Sequence, residues 1–177
     1  KKHMFITINI SEGARYKIKE VRLAGDLIVP EKELFELVTI RKDAVFSRKA
    51  ITKTTEALTG RLGDDGYAFA NVNAVPSIDR DANEVSLTFF IDPGRRAYVR
   101  RINIAGNSKT RDVVLRREMR QQEASWISTK DVNQSRARIQ RLGYFEDVNV
   151  ETNPVAGTAD QVDLDYNVTE MASGSLS

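Results

Sequence analysis

The side chains in this chain with the most recognisable chemistry are cations. Between Arg95 and Arg141 thirteen Lys and Arg stand against four Asp and Glu, whereas from Leu142 to Met171 there are none against seven. The densest group is Arg95, Arg96, Arg100 and Arg101, followed by Arg116, Arg117 and Arg120. Arginine is used here almost to the exclusion of lysine. Its planar fork makes bidentate contacts to carboxylate or phosphate, and it is enriched at interfaces. Glu123 and Trp126 add an acid and a large aromatic to the same stretch. The residue types point to a partner surface, with a solvated charged face as the plain alternative.

Catalytic chemistry has little to work with. The one histidine is His3, cysteine is absent, and no Ser-Lys or Gly-x-Ser-x-Gly pattern supplies a nucleophile with a base beside it. Asp79-Arg-Asp-Ala-Asn83 imitates the start of a calcium loop. Glu84 replaces the required Gly, and Phe90 stands where the bidentate Glu belongs, so a hairpin turn is the better reading. Gly60-Arg-Leu-Gly63 is formally an RNA-binding GXXG, but Asp64 and Asp65 adjoin it and the second half of the chain has no counterpart. Asn9, Asn133 and Asn167 begin sequons inside expected strands or a helix, where chance is the simpler account. No catalytic residue, cofactor or metal is expected, and no nucleic-acid partner.

The elements that must position the cationic stretch come as a repeat. YKIKEVRLAG from Tyr16 and YVRRINIAG from Tyr98 share one pattern, and Val85, Leu87, Phe89 and Ile91 match Val162, Leu164, Tyr166 and Val168 in spacing. In the first copy the pattern predicts a strand over Tyr16–Leu23, a turn at Gly25 and a helix over Glu31–Val38. A second helix follows, capped by Ser47 and stopped by Gly63-Asp-Asp-Gly66, then strands over Val72–Val75 and Val85–Ile91. The second copy predicts a strand over Tyr98–Ile104, a helix over Arg111–Gln121, and a second helix from a capping box at Ser128–Asp131 to Gly143. Strands over Val148–Val150 and Val162–Val168 close it. Each copy is thus β-α-α-β-β. The last strand, richest in β-branched and aromatic residues, belongs in the sheet centre. The second, holding Pro76 in the first copy, suits an edge.

Length agrees with two domains: 177 residues divide into units of about 80, large enough to fold alone with a modest core. The net charge of +2 gives no general affinity for polyanions. No apolar run approaches the ~18 residues of a membrane helix. Residues 14–94 and 95–171 are the two expected domains, joined at Gly94-Arg95 by a restricted hinge. Residues 1–13 read as an expression remnant, KKHM, followed by the last strand of a preceding copy at Phe5–Ile10, which is expected to pair with a sheet edge.

LRREMRQQE (Leu115 to Glu123), the preceding YVRRINIAGN and RLGYFEDVNVET (Arg141 to Thr152) closely resemble the BamA family of outer-membrane β-barrel assembly factors. The resemblance covers nearly the whole chain. It implies an α+β fold of two tandem POTRA domains, the fourth and fifth, each a three-stranded mixed sheet with two helices on one face. Residues 172–177 would lead into a transmembrane barrel, the only contact with the membrane. It further implies a periplasmic, non-catalytic scaffold that takes unfolded outer-membrane proteins from periplasmic chaperones. Accessory lipoproteins, BamD in particular, are expected to dock at Glu123, flanked by Arg116, Arg117, Arg120 and Trp126. The sequence departs from the family motif at Gln122 and Ala124, where Met and Gly are expected. Clients are expected to add as strands along the edges at Val72 and Val75, and at Val148 and Val150. A barrel-linked secretion pore with POTRA domains is the related alternative, which the LRREMRQ motif disfavours; a nucleic-acid-binding αβ repeat, suggested by the arginine cluster, is the more distant one.

Overall fold

The computed structural model describes residues 14–172. The strand expected at Phe5–Ile10 lies outside the described residues, as does nearly all of the expected barrel lead. The first unit runs β1 (Lys17–Gly25), α1 (Glu31–Glu36), α2 (Arg48–Asp64), β2 (Asn71–Asp79) and β3 (Glu84–Asp92). The second runs β4 (Tyr98–Ala105), α3 (Asp112–Arg116), β5 (Ser125–Trp126), α4 (Thr129–Gln140), β6 (Phe145–Pro154) and β7 (Gln161–Glu170). The sheet orders are β1-β3-β2 and β5-β4-β7-β6. In each, the first strand lies parallel to the central one and the hairpin partner antiparallel, so both sheets are mixed. The three expected strands are present in the second unit, and the two-residue β5 adds a fourth.

The central strands carry the alternation read from the sequence. Val85, Leu87, Phe89 and Ile91 are buried in one core, and Val162, Leu164, Tyr166 and Val168 in the other. The duplication extends to irregularities. β1 shifts register between Ile18 and Glu20, and β4 shifts between Val99 and Arg101, the equivalent place. A glycine with positive φ stands at the end of each, Gly25 as the last residue of β1 at 97° and Gly106 just after β4 at 91°. A Cβ there would meet the Ile91 or Val168 carbonyl oxygen at 2.2 or 1.9 Å, so only glycine fits.

Element lengths differ from expectation in two ways. The second strands are longer, because β2 continues through Pro76 to Asp79 along an edge, where a missing N–H breaks no internal ladder. The first helices are shorter. α3 stops at Arg116 instead of reaching Gln121, because the N–H groups of Arg120 and Gln121 donate to Ser135 Oγ, at 2.8 and 3.3 Å, instead of to helical carbonyls. Tertiary capture ends that helix, and Glu123 therefore lies on a turn beyond it.

Caps behave as their residue types require. Ser47 accepts from Ala50 N at 3.4 Å and Ser128 from Asp131 N at 3.2 Å. The reciprocal half of the capping box comes from Gln121, whose Oε1 accepts from Ser128 N at 2.8 Å.

The units meet where α2 ends and α4 begins. Ala97 N donates to Gly66 O at 2.8 Å, Arg96 Nε to Asp65 O at 2.7 Å, and Lys130 N to Asp64 Oδ1 at 2.7 Å. The Asp64 carboxylate thus sits at the N-terminus of α4, where the helix dipole favours negative charge. Gly63 packs so closely that a Cβ would lie 2.1 Å from Thr129 Oγ1.

Candidate partner-binding corner and sheet edges

The long cationic stretch wraps the outer side of β4. β5 covers that strand only at Tyr98 and Val99. Ala124 makes the reversal into β5 with φ of 57°, its N–H donating to Val99 O at 2.8 Å. Left-handed backbone disfavours a Cβ, which is the physical reason a glycine is expected there.

Where β5 stops, side chains take over. Ile102 N donates to Glu123 Oε1 at 2.8 Å, and Ile102 O accepts from an Arg116 guanidinium nitrogen at 3.1 Å. Arg116 is held in turn by Asp112 at 2.6 Å, with another guanidinium nitrogen 3.8 Å from Glu123. Acid and base together occupy both outward groups of one residue, as a neighbouring strand would. Glu123 is nevertheless 47% exposed. In the chain without a partner the carboxylate is half in solvent and already hydrogen-bonded.

The five residues expected to form one docking corner fall into separate places. Glu123 and Arg116 line a common recess with Ile102 and Met119. Arg117 is exposed, 3.6 Å from Glu118. Trp126 stands edge-on to Tyr98, with the Arg96 guanidinium 4.7 Å from its ring centre, so it belongs to the joint with the first unit. Arg120 faces α4 in a second recess with Arg138 and Arg141.

Gln121, which sequence reasoning passed over, organises the segment. It is 3% exposed. Its amide nitrogen donates to Gln122 O, Ser125 Oγ and Trp126 O at 3.1, 2.9 and 3.1 Å, while its oxygen takes Ser128 N. Nothing in the run Gln121-Gln122-Glu123 marks which polar residue turns inward.

The sheet edges are treated unequally. Beside β1, the segment 43–46 pairs with the strand, with Ile18 N to Ala44 O at 2.9 Å, Asp43 N to Ile18 O at 2.8 Å and Phe46 N to Tyr16 O at 2.9 Å. The β4 edge is covered by β5 at Tyr98 and Val99 and by Glu123 and Arg116 at Ile102, so the guard on β1 reaches only to Ile18 and that on β4 only to Ile102. On the opposite edges, β6 is partly covered, since Arg136 Nε reaches Val148 O at 2.9 Å and Gln140 reaches Phe145 O at 3.1 Å. Among the described residues the outer edge of β2 has no hydrogen-bond partner. Val72 and Val148 are buried and Val150 packs on the core, so these three face inward from their edge strands, whereas Val75 is 43% exposed.

Two carboxylates are held in the charged form. Arg100 forks onto Asp163 across β4 and β7, and that hydrogen bond keeps the Asp163 carboxyl below its usual range. Glu170, at the end of β7, feels partial desolvation that raises its pKa. Hydrogen bonds from Thr110 N at 2.7 Å, Ser108 Oγ at 2.9 Å and Lys109 N at 3.0 Å together outweigh it and hold it at about 2.

Two mixed sheets in tandem, each with its last strand central and two helices beside it, define a class of repeated α+β domain. The chain belongs to the POTRA family, whose model, described as surface antigen variable number repeat, matches residues 16–94 and 97–171. It is 38% identical over 172 residues to the outer membrane protein assembly factor BamA of Neisseria meningitidis, covering 97% of this chain and 22% of that protein. The chain therefore spans about a fifth of that relative's length. The crystal structure of Haemophilus influenzae BamA POTRA3-5 superposes with a TM-score of 0.85 at 36% identity, over 90% of this chain and 63% of that one. BamA from Haemophilus ducreyi lacking POTRA domains 1-3 gives 0.76 at 38% identity, over 90% and 30%. POTRA domains of BamA are periplasmic parts of an outer-membrane protein, and this pair is of that kind. Among the described residues no helix is long and apolar enough to cross a membrane.

Proposed function

We propose that the two domains are a non-catalytic scaffold in outer-membrane protein assembly, which holds unfolded β-barrel clients and docks an accessory lipoprotein. The unequal edges carry this reading. A strand edge with free backbone groups binds extended chain through main-chain hydrogen bonds, with little regard for side-chain identity. That suits clients delivered by periplasmic chaperones and alike only in β-patterning. β2 has the open edge, and β6 is free beyond the part held by Arg136 and Gln140. The likeness to a BamA that lacks its first three POTRA domains supports numbering these as the fourth and fifth. A peptide copied from an alternating outer-membrane strand is expected to shift the amide signals of β2 and the later half of β6. Shifts confined to β1 or β4, or none, would exclude edge pairing.

Docking of the lipoprotein, BamD by resemblance, is assigned to the recess of Glu123 and Arg116, with exposed Arg117 beside it. Glu123→Lys removes the Ile102 cap and also reverses the charge offered to a partner. Glu123→Gln keeps the acceptor and removes only the charge. Pull-down with BamD is expected to fail for Lys and weaken for Gln; full binding by both would refute the assignment.

A further inference from the structure

Arg120, Arg138 and Arg141 line one cleft of about 270 Å3 with Gln134 and Ala137. Arg138 is paired to Glu118 at 2.8 Å, and its Nε also donates to Glu118 O at 3.1 Å. Among the described residues neither Arg120 nor Arg141 has a carboxylate within ion-pair distance. Three guanidiniums against one carboxylate leave two positive charges in excess. The walls are fixed: Arg120 N is tied to Ser135 Oγ, which donates to Asp131 O at 2.6 Å on α4. The side chains that converge are all planar forks joined by a primary amide, a set that donates from several directions to an oxygen-rich anion.

We propose that this cleft is a binding site for a phosphate group. A carboxylate offers two oxygens in a plane and one charge. A phosphate offers three or four oxygens in tetrahedral array and up to two charges, which matches both the excess and the number of donors. The site is separate from the docking recess, since Arg116 and Glu123 line a different depression. Its phosphate could be inorganic or the phosphomonoester headgroup of an anionic lipid, since both offer at least three free oxygens and up to two charges.

The test is a titration of the 177-residue chain with sodium phosphate at constant ionic strength, read on the arginine Nε–H and glutamine amide signals. Saturable shifts are expected at Arg120, Arg138, Arg141 and Gln134, absent with chloride. The double variant Arg120→Gln/Arg141→Gln, which breaks no hydrogen bond or ion pair seen between described side chains, is expected to bind phosphate about tenfold more weakly or worse. Shifts that do not saturate, that appear equally with chloride, or that persist unchanged in the double variant would overturn the proposal. Cosedimentation with vesicles containing phosphatidic acid separates the sources. Vesicle binding lost in the double variant assigns a lipid headgroup, and phosphate shifts without vesicle binding assign the free ion.

Discussion

Glu123 has two roles to reconcile at one carboxylate. It satisfies Ile102 N at 2.8 Å and stands near Arg116, yet nearly half its side chain faces water. Removing the acceptor with Glu123→Ala should cost about 1 kcal/mol in urea denaturation, whereas Glu123→Gln should cost little, because its amide oxygen still accepts. Ala124 is strained in the left-handed region, so Ala124→Gly should raise stability by about 0.5–1 kcal/mol in the same assay. Glu170 supplies a pH signature. Its folded pKa of about 2 lies below the ordinary 4.5, so its contribution to stability is complete above the higher value and lost as pH falls toward the lower. Stability measured between these pH values should fall less steeply in Glu170→Gln than in the parent chain.

The elements show what could be read before the structure and what could not. Strand positions, the central place of β3 and β7, both serine caps and the repeat follow from periodicity and local chemistry, which act within a few residues. The end of α3 does not. It is set by Ser135, fifteen residues after Arg120, and by Gln121 folding inward to hold β5 and the start of α4. For the same reason the five predicted corner residues could be named but not grouped, since the helix expected to carry Arg116, Arg117 and Arg120 and to end just before Glu123 stops at Arg116. Gln121→Ala should cost about 2–3 kcal/mol by leaving buried backbone groups unpaired, and should release β5. Trp126 fluorescence would report that release as a change in emission in the native state, well before global unfolding.

At the scale of the molecule, the joint between the units resembles a helix cap supplied in trans. Asp64 ends one helix and caps the next, while Arg96 links Asp65 to the face of Trp126. Asp64→Ala should leave both domains folded and broaden the distribution of their relative orientations in residual dipolar couplings.

The central claim, that clients add along β2 and not along the guarded parts of the first strands, is tested most directly in cells. A photocrosslinking residue would be placed, in the full-length protein, at Val75 and Ile78 on β2, at Lys17 in the guarded part of β1, and at Arg101 beside the capped Ile102 of β4. Crosslinks to nascent outer-membrane proteins at the β2 positions, and none at the others, are the predicted result. Equal crosslinking at all four, or crosslinks at Lys17 and Arg101 alone, would contradict it.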